Sequence, residues 1–217
     1  MSTGPRALAA TACLACLAAQ TPAQELRVAS HRDPPPQEVA AALRERLATG
    51  GARVTVGTTT VDLWWVREAA LSAPAAGRAS WAQVPEGTLI GAVRFSDAFR
   101  DIRGKVIKAG VYTLRYGVQP ANGDHLGVSP YREFLLVSPA AVDVEPAPTG
   151  HKGTVEMAKQ ALGTSHPATL SLDPPQADGA PLSVVRNDAG HQSVVFEIAA
   201  GGGTLRFGVI MVGRIQA

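Results

Sequence analysis

The stretch that decides the fold is 104–137, which reads GKVIKAGVYTLRYGVQPANGDHLGVSPYREFLLV. Between 110 and 118 large apolar side chains recur at every second position, so that Tyr112 and Leu114 flank the polar Thr113. A period of two sends successive side chains to opposite faces of a β-sheet. The pattern therefore predicts a strand over 110–118 with one strongly apolar face.

A second run, 131–137, is apolar on both faces near its end, which is typical of a strand covered on both sides. Pro, Asn, Asp and Gly residues in the connection 119–133 supply turn chemistry. We expect the two strands to pair. The connection is longer than the roughly 2 to 5 residues of a plain hairpin, and long connections often carry binding residues.

Short runs separated by turn residues recur along the whole chain. It has 22 Gly and 16 Pro but only 5% aromatic residues, a balance that favours short strands over long helices. Further strands are predicted at 25–30, 53–56, 60–66, 88–95, 168–172, 183–185, 193–198 and 205–212, and helices at 37–49 and 155–162. We place 168–172 at a sheet edge. About nine short strands at this spacing predict an all-β fold, an antiparallel two-sheet sandwich with two short peripheral helices.

Residues 1–23 have the features of a secretory signal peptide. Arg6 precedes an apolar run over 7–19, and small residues at Thr21 and Ala23 suit a signal-peptidase cut. The run is shorter than the roughly 20 residues of a membrane-spanning helix. We expect an exported chain, periplasmic or extracellular, with no membrane span after cleavage. An uncleaved anchor helix is the alternative.

Both cysteines, Cys13 and Cys16, lie inside this segment, so cleavage leaves a mature chain without cysteine. Disulfides, thiolate catalysis and cysteine-bound zinc are then excluded. Acylation of either cysteine, as in a lipoprotein, is the alternative. We expect the mature chain to divide into an N-terminal strand and helix segment, 24–50, and a β-sandwich domain, 51–217.

The charge pattern and the motifs exclude several classes of protein. The formal net charge is +2, and the basic residues form no patch or stripe of the kind that nucleic-acid binders use. The chain contains no nucleophile elbow, no HExxH zinc motif, no P-loop and no dinucleotide-binding fingerprint. We therefore expect no nucleic-acid partner and none of the common enzyme mechanisms.

The entry to the first central strand has a Gly-Lys-x-hydrophobic-x-x-Gly-x-Tyr-x-Leu pattern. It is met here by Gly104, Lys105, Ile107, Gly110, Tyr112 and Leu114. With the strands LIGAVRF and SVVFEIAAGGGTLRFGVIMV, it resembles a group of exported bacterial β-sandwich proteins of uncharacterised function. The resemblance covers about 60 residues. It implies the fold and brings no catalytic residues.

The connection between the central strands holds the densest set of polar residues. Asp124 and His125 lie in it, with Tyr131 and Arg132 just beyond, and these four are candidate binding residues. A calcium loop would show several acidic residues at alternating positions, and this connection shows only Asp124. The structural alternative is that Asp124 caps a turn, His125 bonds a carbonyl, and Arg132 pairs with Asp124 or Glu133.

Four histidines are scattered over loops and strand ends: His125, His151, His166 and His191. Imidazoles are ligands for zinc and copper, so convergence of three of them would create a metal site. Their spacing in the sequence gives no support for such convergence. The fifth histidine, His31, follows an N-terminal strand beside Arg32 and is expected in solvent.

Two adjacent tryptophans lie in the strand 60–66, and alternation sends Trp64 and Trp65 to opposite faces. A flat indole can stack on a sugar, which makes Trp64 a further candidate binding residue. The alternative is that Trp65 fills the core and Trp64 covers its side, since large aromatics dominate core burial.

Three functions remain open. The first is an exported, non-catalytic binding or accessory module that acts through a sheet face or the 119–133 connection on an envelope protein or a glycan, without a cofactor. The second is a metal-assisted hydrolase that uses the scattered histidines with zinc or copper. The third is a structural subunit of an envelope complex. We adopt the first as the working hypothesis.

Overall fold

The computed structural model describes residues 25–120, 131–174 and 180–215. The described chain is mostly strand with few helices, so the prediction of an all-β fold is confirmed. The strands are β1 (Leu26–His31), β2 (Gly51–Val56), β3 (Thr59–Trp65), β4 (Glu68–Ala69), β5 (Arg78–Ala79), β6 (Leu89–Phe95), β7 (Phe99–Arg100), β8 (Val106–Ile107), β9 (Gly110–Val118), β10 (Glu133–Pro139), β11 (Thr169–Asp173), β12 (Val184–Arg186), β13 (Gln192–Ala200) and β14 (Gly203–Val212). The helices are α1 (Ala41–Arg44), α2 (Gly150–Leu162) and a short 3-10 helix, Trp81–Gln83.

Hydrogen bonds join twelve of these strands into one sheet, with the main order β1-β2-β3-β6-β9-β10-β11-β14-β13-β12. Neighbours along this path are antiparallel, whereas β4 and β5 add to β13 and β14 in parallel. The two predicted central strands do pair, as β9 and β10. The expected division into two sheets is not seen, because β11 bonds both β10 and β14 and so connects the halves. The prediction that 168–172 is an edge strand is wrong for the same reason.

The sheet curls so that its first and last strands approach each other. Trp65 on β3 packs against Phe196 on β13, with ring centroids 4.7 Å apart, although five strands separate β3 from β13 along the path. The inner face forms the main hydrophobic core, which includes the fully buried Leu114 of β9. Apolar alternation on nearly every strand therefore points to one shared interior.

The outer face of β9 and β10 is covered by α2 and by the crossover 140–149. The predicted end of the helix is confirmed, because Gly163 adopts a left-handed conformation that suits glycine after a helix. The predicted start is wrong: α2 begins at Gly150, and Thr154 lies inside it with its hydroxyl donating to the Gly150 carbonyl at 2.6 Å. None of the described helices is long and apolar enough to cross a membrane.

The crossover is held by a buried ion pair between Arg115 of β9 and Asp143, whose side chains are both 0% exposed. The Arg115 Nε and Nη2 atoms each donate to Asp143 at 2.7 Å. Its other N–H groups donate to the carbonyls of Gly87, Glu145 and Ala147. All five guanidinium N–H groups are thus used.

The helix predicted over 37–49 is much shorter in the structure, where only Ala41–Arg44 is α-helical. The chain leaves the helix because the Ala48 amide donates to the Trp65 carbonyl at 2.8 Å and Leu47 bridges Val66. Pairing with the end of β3 therefore stabilises this segment more than its weak helix propensity does.

Candidate ligand-binding groove

A groove of about 410 Å³ lies between α2 and the outer face of β10 and β11, at the base of the 119–133 connection. Its walls are mostly apolar. Phe134 of β10 and Val155 of α2 line it from two sides, and Pro120 and Pro167 contribute from the flanking loops. We call this space the α2 groove.

The wall formed by β10 depends on a glycine in the neighbouring strand. A Cβ atom at Gly117 would lie 2.9 Å from the Phe134 ring and 2.9 Å from a Leu136 methyl group. Real Cβ atoms do not approach other atoms this closely, so any larger residue at 117 would displace both side chains. Gly117 therefore allows the Phe134 ring to lie over β9 and form the wall of the groove.

Three residues of α2 face the groove at four-residue spacing: His151, Val155 and Lys159. His151 is held in place by Glu86, whose Oε1 lies 3.1 Å from its Nδ1 and also accepts the Val118 amide at 2.9 Å. A carboxylate only accepts, so the imidazole carries its proton on Nδ1 and leaves Nε2 for other partners. Glu86 thus links the first turn of α2 to the end of β9.

The cationic groups of the groove differ in their availability. Arg103 donates to Asp101 at 2.6 Å and to the Pro167 carbonyl at 2.9 Å, and its side chain is only 19% exposed. Lys159 bonds Glu156 at 2.7 Å, but the two side chains are 32% and 60% exposed. Surface pairs of this kind contribute little stability, so Lys159 can exchange its partner for a ligand. Among the described residues, no carboxylate lines the groove.

The four candidate residues of the 119–133 connection are only partly placed. Asp124 and His125 lie outside the described residues. Arg132 is exposed, and its Nη2 donates to the Gln119 carbonyl at 2.7 Å, which closes the base of the connection. Its predicted pairing with Asp124 falls outside the described residues and stays a prediction, while among those residues Arg132 bonds Gln119 rather than Glu133. Gln119 itself lines the α2 groove.

Tyr131 lies beside a buried carboxylate, Asp173 at the end of β11, rather than in the groove. Burial, and then the charge and hydrogen bond of Asp173, raise the pKa of the Tyr131 phenol. The Ser193 hydroxyl and the Asn187 amide also donate to Asp173, at 2.7 and 3.3 Å. These side chains form a polar cluster, and none of them lines the groove.

The predicted metal ligands are separated. His151 and His166 both line the α2 groove, whereas His191 is buried at the start of β13, with Nε2 3.3 Å from the Arg214 carbonyl. His125 lies outside the described residues. Within 25–120, 131–174 and 180–215, no three His, Cys, Asp or Glu side chains gather around one point. The zinc or copper site stays a prediction.

The surroundings of Trp64 leave it little access to a ligand. Its side chain is 0% exposed, and its indole N–H donates to the Asp33 carbonyl at 2.8 Å. His31 packs edge-on against the ring at 5.0 Å, and Arg94 lies over it at 5.6 Å. The prediction that His31 is solvated is wrong, since its side chain is 6% exposed. We therefore leave Trp64 out of the proposed site, and Trp65 lies in the core.

Four residues at the groove, Phe134, Val155, Lys159 and Glu86, are not predicted as site residues from the sequence. The four-residue spacing of His151, Val155 and Lys159 could have revealed a helical face, but a helix predicted to start at 155 excludes His151. No family model, curated protein or solved structure matches the chain. The resemblance to exported β-sandwich proteins accordingly stays a prediction, and the groove is interpreted from its own geometry.

Proposed function

We propose that the chain is an exported, non-catalytic binding module whose α2 groove takes a small amphipathic molecule with an apolar body and a carboxylate. The observation that carries this proposal is the combination in one groove of apolar walls with the Lys159 ammonium group and the His166 imidazole. Export rests on the predicted signal peptide, 1–23. An exported protein whose intact mass still includes residues 1–23 would contradict cleavage of this segment, and retention of the chain inside the cell would contradict export.

The size and lining of the groove support a small organic ligand. Sites for such ligands measure roughly 300 to 1,000 Å³ and are mainly apolar, with a few polar groups that fix orientation. The α2 groove, at about 410 Å³, lies within this range. Phe134 and Val155 would contact the apolar body. The predicted envelope protein or glycan partner stays a prediction, and the apolar walls favour a less polar ligand than a sugar.

The charges support a carboxylate on that ligand. Among the described residues Lys159 is bound only to the exposed Glu156, and the exposed His166 lines the groove from the loop that follows α2. A carboxylate placed between them would accept charge-assisted hydrogen bonds, which are stronger than those between neutral groups. Arg103 is excluded from this role because Asp101 already neutralises it. We therefore assign the carboxylate to the Lys159 end of the groove.

Calorimetric titration tests the proposal with 4-butylbenzoate, an apolar rod with one carboxylate, and its neutral analogue 4-butylbenzamide. We expect benzoate to bind with a dissociation constant on the order of 0.1 mM, as befits a small ligand, and the amide to bind about tenfold more weakly. Val155→Trp would fill the groove and should weaken benzoate binding at least tenfold. Val144→Trp, at a position that is 62% exposed in the crossover, is the matched control and should bind normally.

Three results would contradict this function: equal binding by the benzoate and the amide, undiminished binding by a folded Val155→Trp variant, or no heat from either compound. Loss of binding in Val144→Trp would show that a tryptophan outside the groove is sufficient to abolish binding. The loss in Val155→Trp would then no longer support a ligand in the groove.

A further inference from the structure

One edge of β13 lacks a partner strand over a short length, although β14 pairs with its other edge throughout. On one side of this length, Val195 donates its amide to the Ser183 carbonyl at 3.0 Å and accepts from the Leu182 amide at 2.8 Å. On the other side, β4 pairs with β13 at 199–200. Among the described residues, none bonds the backbone of Glu197 at this edge.

The backbone groups of Glu197 point towards the free edge. Successive residues of an antiparallel strand turn their N–H and C=O groups to opposite neighbours, so residues two apart share a side. Val195 turns both groups away from β14, and Glu197 therefore does the same. The hairpin gives the same result, because Ala200 and Gly203 pair across a two-residue turn and must bond each other. Alternate residues back from Ala200 then face β14, and Glu197 does not.

The sequence explains why β12 does not continue along this edge. The segment that would lie opposite Glu197 contains Pro181, which has no N–H to donate. Leu182 has a φ of 59°, and the Ser183 amide donates to the Ala180 carbonyl at 3.2 Å. The chain thus makes a turn here, and one position beside β13 stays open.

The space beside Glu197 is an opening of about 410 Å³ between β13 and the end of β3. We call it the seam opening. Phe196 and Ile198, the neighbours of Glu197, line it together with Ala52 and Trp65 and belong to the hydrophobic core. Glu197 itself is exposed. The site therefore offers an apolar wall on the inner side of the sheet and solvent on the outer side.

We propose that the seam opening takes a short extended peptide segment of a partner protein, which adds to β13 as an antiparallel strand at Glu197. One peptide residue would donate its N–H to the Glu197 carbonyl and accept from the Glu197 N–H, as in other cases of strand addition to a sheet edge. The distance between Val195 and Ala199, roughly 13 Å in a strand, limits the added strand to about three residues. This site does not depend on the α2 groove, and among the described residues none lines both.

The geometry also defines the side chains of the peptide. The residues before and after the bonded one would face inward and should be apolar, because side chains alternate along a strand. The bonded residue would lie beside the Glu197 side chain and should be basic. Glu197 forms no ion pair within the described residues. Arg206, opposite it on β14, and Arg67 at the rim remain present in every Glu197 variant, so substitution isolates the effect of the Glu197 charge.

The test is a ¹⁵N nuclear magnetic resonance titration of residues 24–217 with the capped peptide acetyl-Val-Arg-Val-amide. We expect saturable shifts centred on the amides of 195–199, with a dissociation constant on the order of 1 mM. The same peptide with a methyl group on the arginine backbone nitrogen keeps every side chain but lacks the donor, and should bind at least tenfold more weakly. Equal binding by the two peptides, or shifts centred away from β13, would overturn the proposal.

Glu197→Lys tests the position of the basic residue. Relative to the wild type, the ratio of affinities for the Val-Arg-Val and Val-Glu-Val peptides should fall at least threefold, because attraction becomes repulsion. Glu38→Lys makes the same charge change at a side chain that is 58% exposed and outside the opening, and should keep the wild-type ratio. An unchanged ratio in Glu197→Lys, or an equal fall in Glu38→Lys, would contradict the assigned register.

Other occupants of the edge give different results. The Glu197 amide should exchange its hydrogen rapidly in the free chain and slowly with the peptide bound. Slow exchange without peptide would mean that the chain itself or a second copy already pairs with this edge, which would overturn the proposal. Val155→Trp fills the α2 groove and should bind the peptide normally. Loss of peptide binding in that variant would place the peptide in the groove and likewise overturn the proposal.

Discussion

Arg115 and Lys159 are both cationic residues on the outer side of the sheet, yet their surroundings are opposite. Arg115 is 0% exposed, bonds Asp143 through two N–H groups, and places its remaining N–H groups on three carbonyls. Lys159 is 32% exposed and has one exposed partner, Glu156. The first has no donor left for a ligand, whereas the second can exchange its partner at little cost.

The two cations therefore have different roles: Arg115 stabilises the fold, and Lys159 is available to bind a ligand. Removing one partner of a buried ion pair leaves an uncompensated charge, which is strongly destabilising. An exposed pair contributes little stability but supplies a donor beside the apolar walls of the groove. We therefore expect substitutions near Arg115 to affect stability and substitutions near Lys159 to affect binding.

The largest effect should follow from Asp143→Ala. It leaves the Arg115 guanidinium buried without a counter-charge and removes the acceptor of the Thr113 hydroxyl, which lies 2.5 Å away. We expect a loss of about 3 to 5 kcal/mol in the free energy of unfolding, measured by denaturant titration. The matched control, Glu156→Ala, removes the exposed partner of Lys159 and should cost less than about 0.5 kcal/mol. Similar losses in the two variants would remove the distinction between the regions.

Leu114→Ala measures how much the hydrophobic core stabilises the fold, because Leu114 lies on the face of β9 opposite to Arg115. Leu114 is 0% exposed in the main core, so its truncation should destabilise the fold by about 2 to 5 kcal/mol in the same titration. Binding of 4-butylbenzoate by the folded fraction should not change. A loss below about 0.5 kcal/mol, the usual surface value, would mean that the inner face of β9 is wrongly assigned.

Gly117→Ala links the two regions, because the new methyl group would push against Phe134 and Leu136. Overpacking of this kind costs about 1 to 3 kcal/mol, and displacement of the Phe134 ring should also weaken benzoate binding severalfold. The control is Gly153→Ala on α2, where a Cβ atom would meet Thr149 at 3.6 Å and no other described residue within 4 Å. That change should stabilise the helix by up to about 1 kcal/mol and leave binding intact. Normal affinity of Gly117→Ala for benzoate would show that the Phe134 ring does not contribute to ligand binding.

The smallest effect should appear at alkaline pH. Burial, with smaller contributions from Glu133 and Glu86, raises the pKa of Tyr116 to about 12. Because the folded pKa lies above the unfolded value of roughly 10, the stabilisation is complete below pH 10 and is lost between pH 10 and 12. From pH 9 to 11 the wild type should lose about 1 kcal/mol more than Tyr116→Phe in denaturant titrations. If the free energy of unfolding depends on pH in the same way for the wild type and Tyr116→Phe, the burial of the Tyr116 phenol is contradicted.

Local patterns in the sequence predicted part of the fold correctly. The strand over 110–118 coincides with β9, since alternation between a buried core face and a second face is a local signal. The position of β11 was not predictable, because its neighbours β10 and β14 are chosen by long-range pairing. The prediction of a long N-terminal helix was wrong for a similar reason, because Ala48 bonds a strand that comes later in the chain.

The candidate site was predicted only through its histidines. His151 and His166 were identified as functional candidates and do line one groove, but the metal assigned to them remains untested. The groove itself depends on the register that places Phe134 opposite Gly117 and on the packing of α2 over β10. Neither contact leaves a trace in the spacing of residues along the chain.

The most direct test of the central claim is a ¹⁵N-amide nuclear magnetic resonance titration of residues 24–217 with 4-butylbenzoate. We expect saturable shifts concentrated in α2 and in 165–171, with the largest changes near Lys159 and His166 and none around Arg115. Shifts centred elsewhere on the sheet, or spread evenly over the surface, would contradict the assignment of ligand binding to the α2 groove.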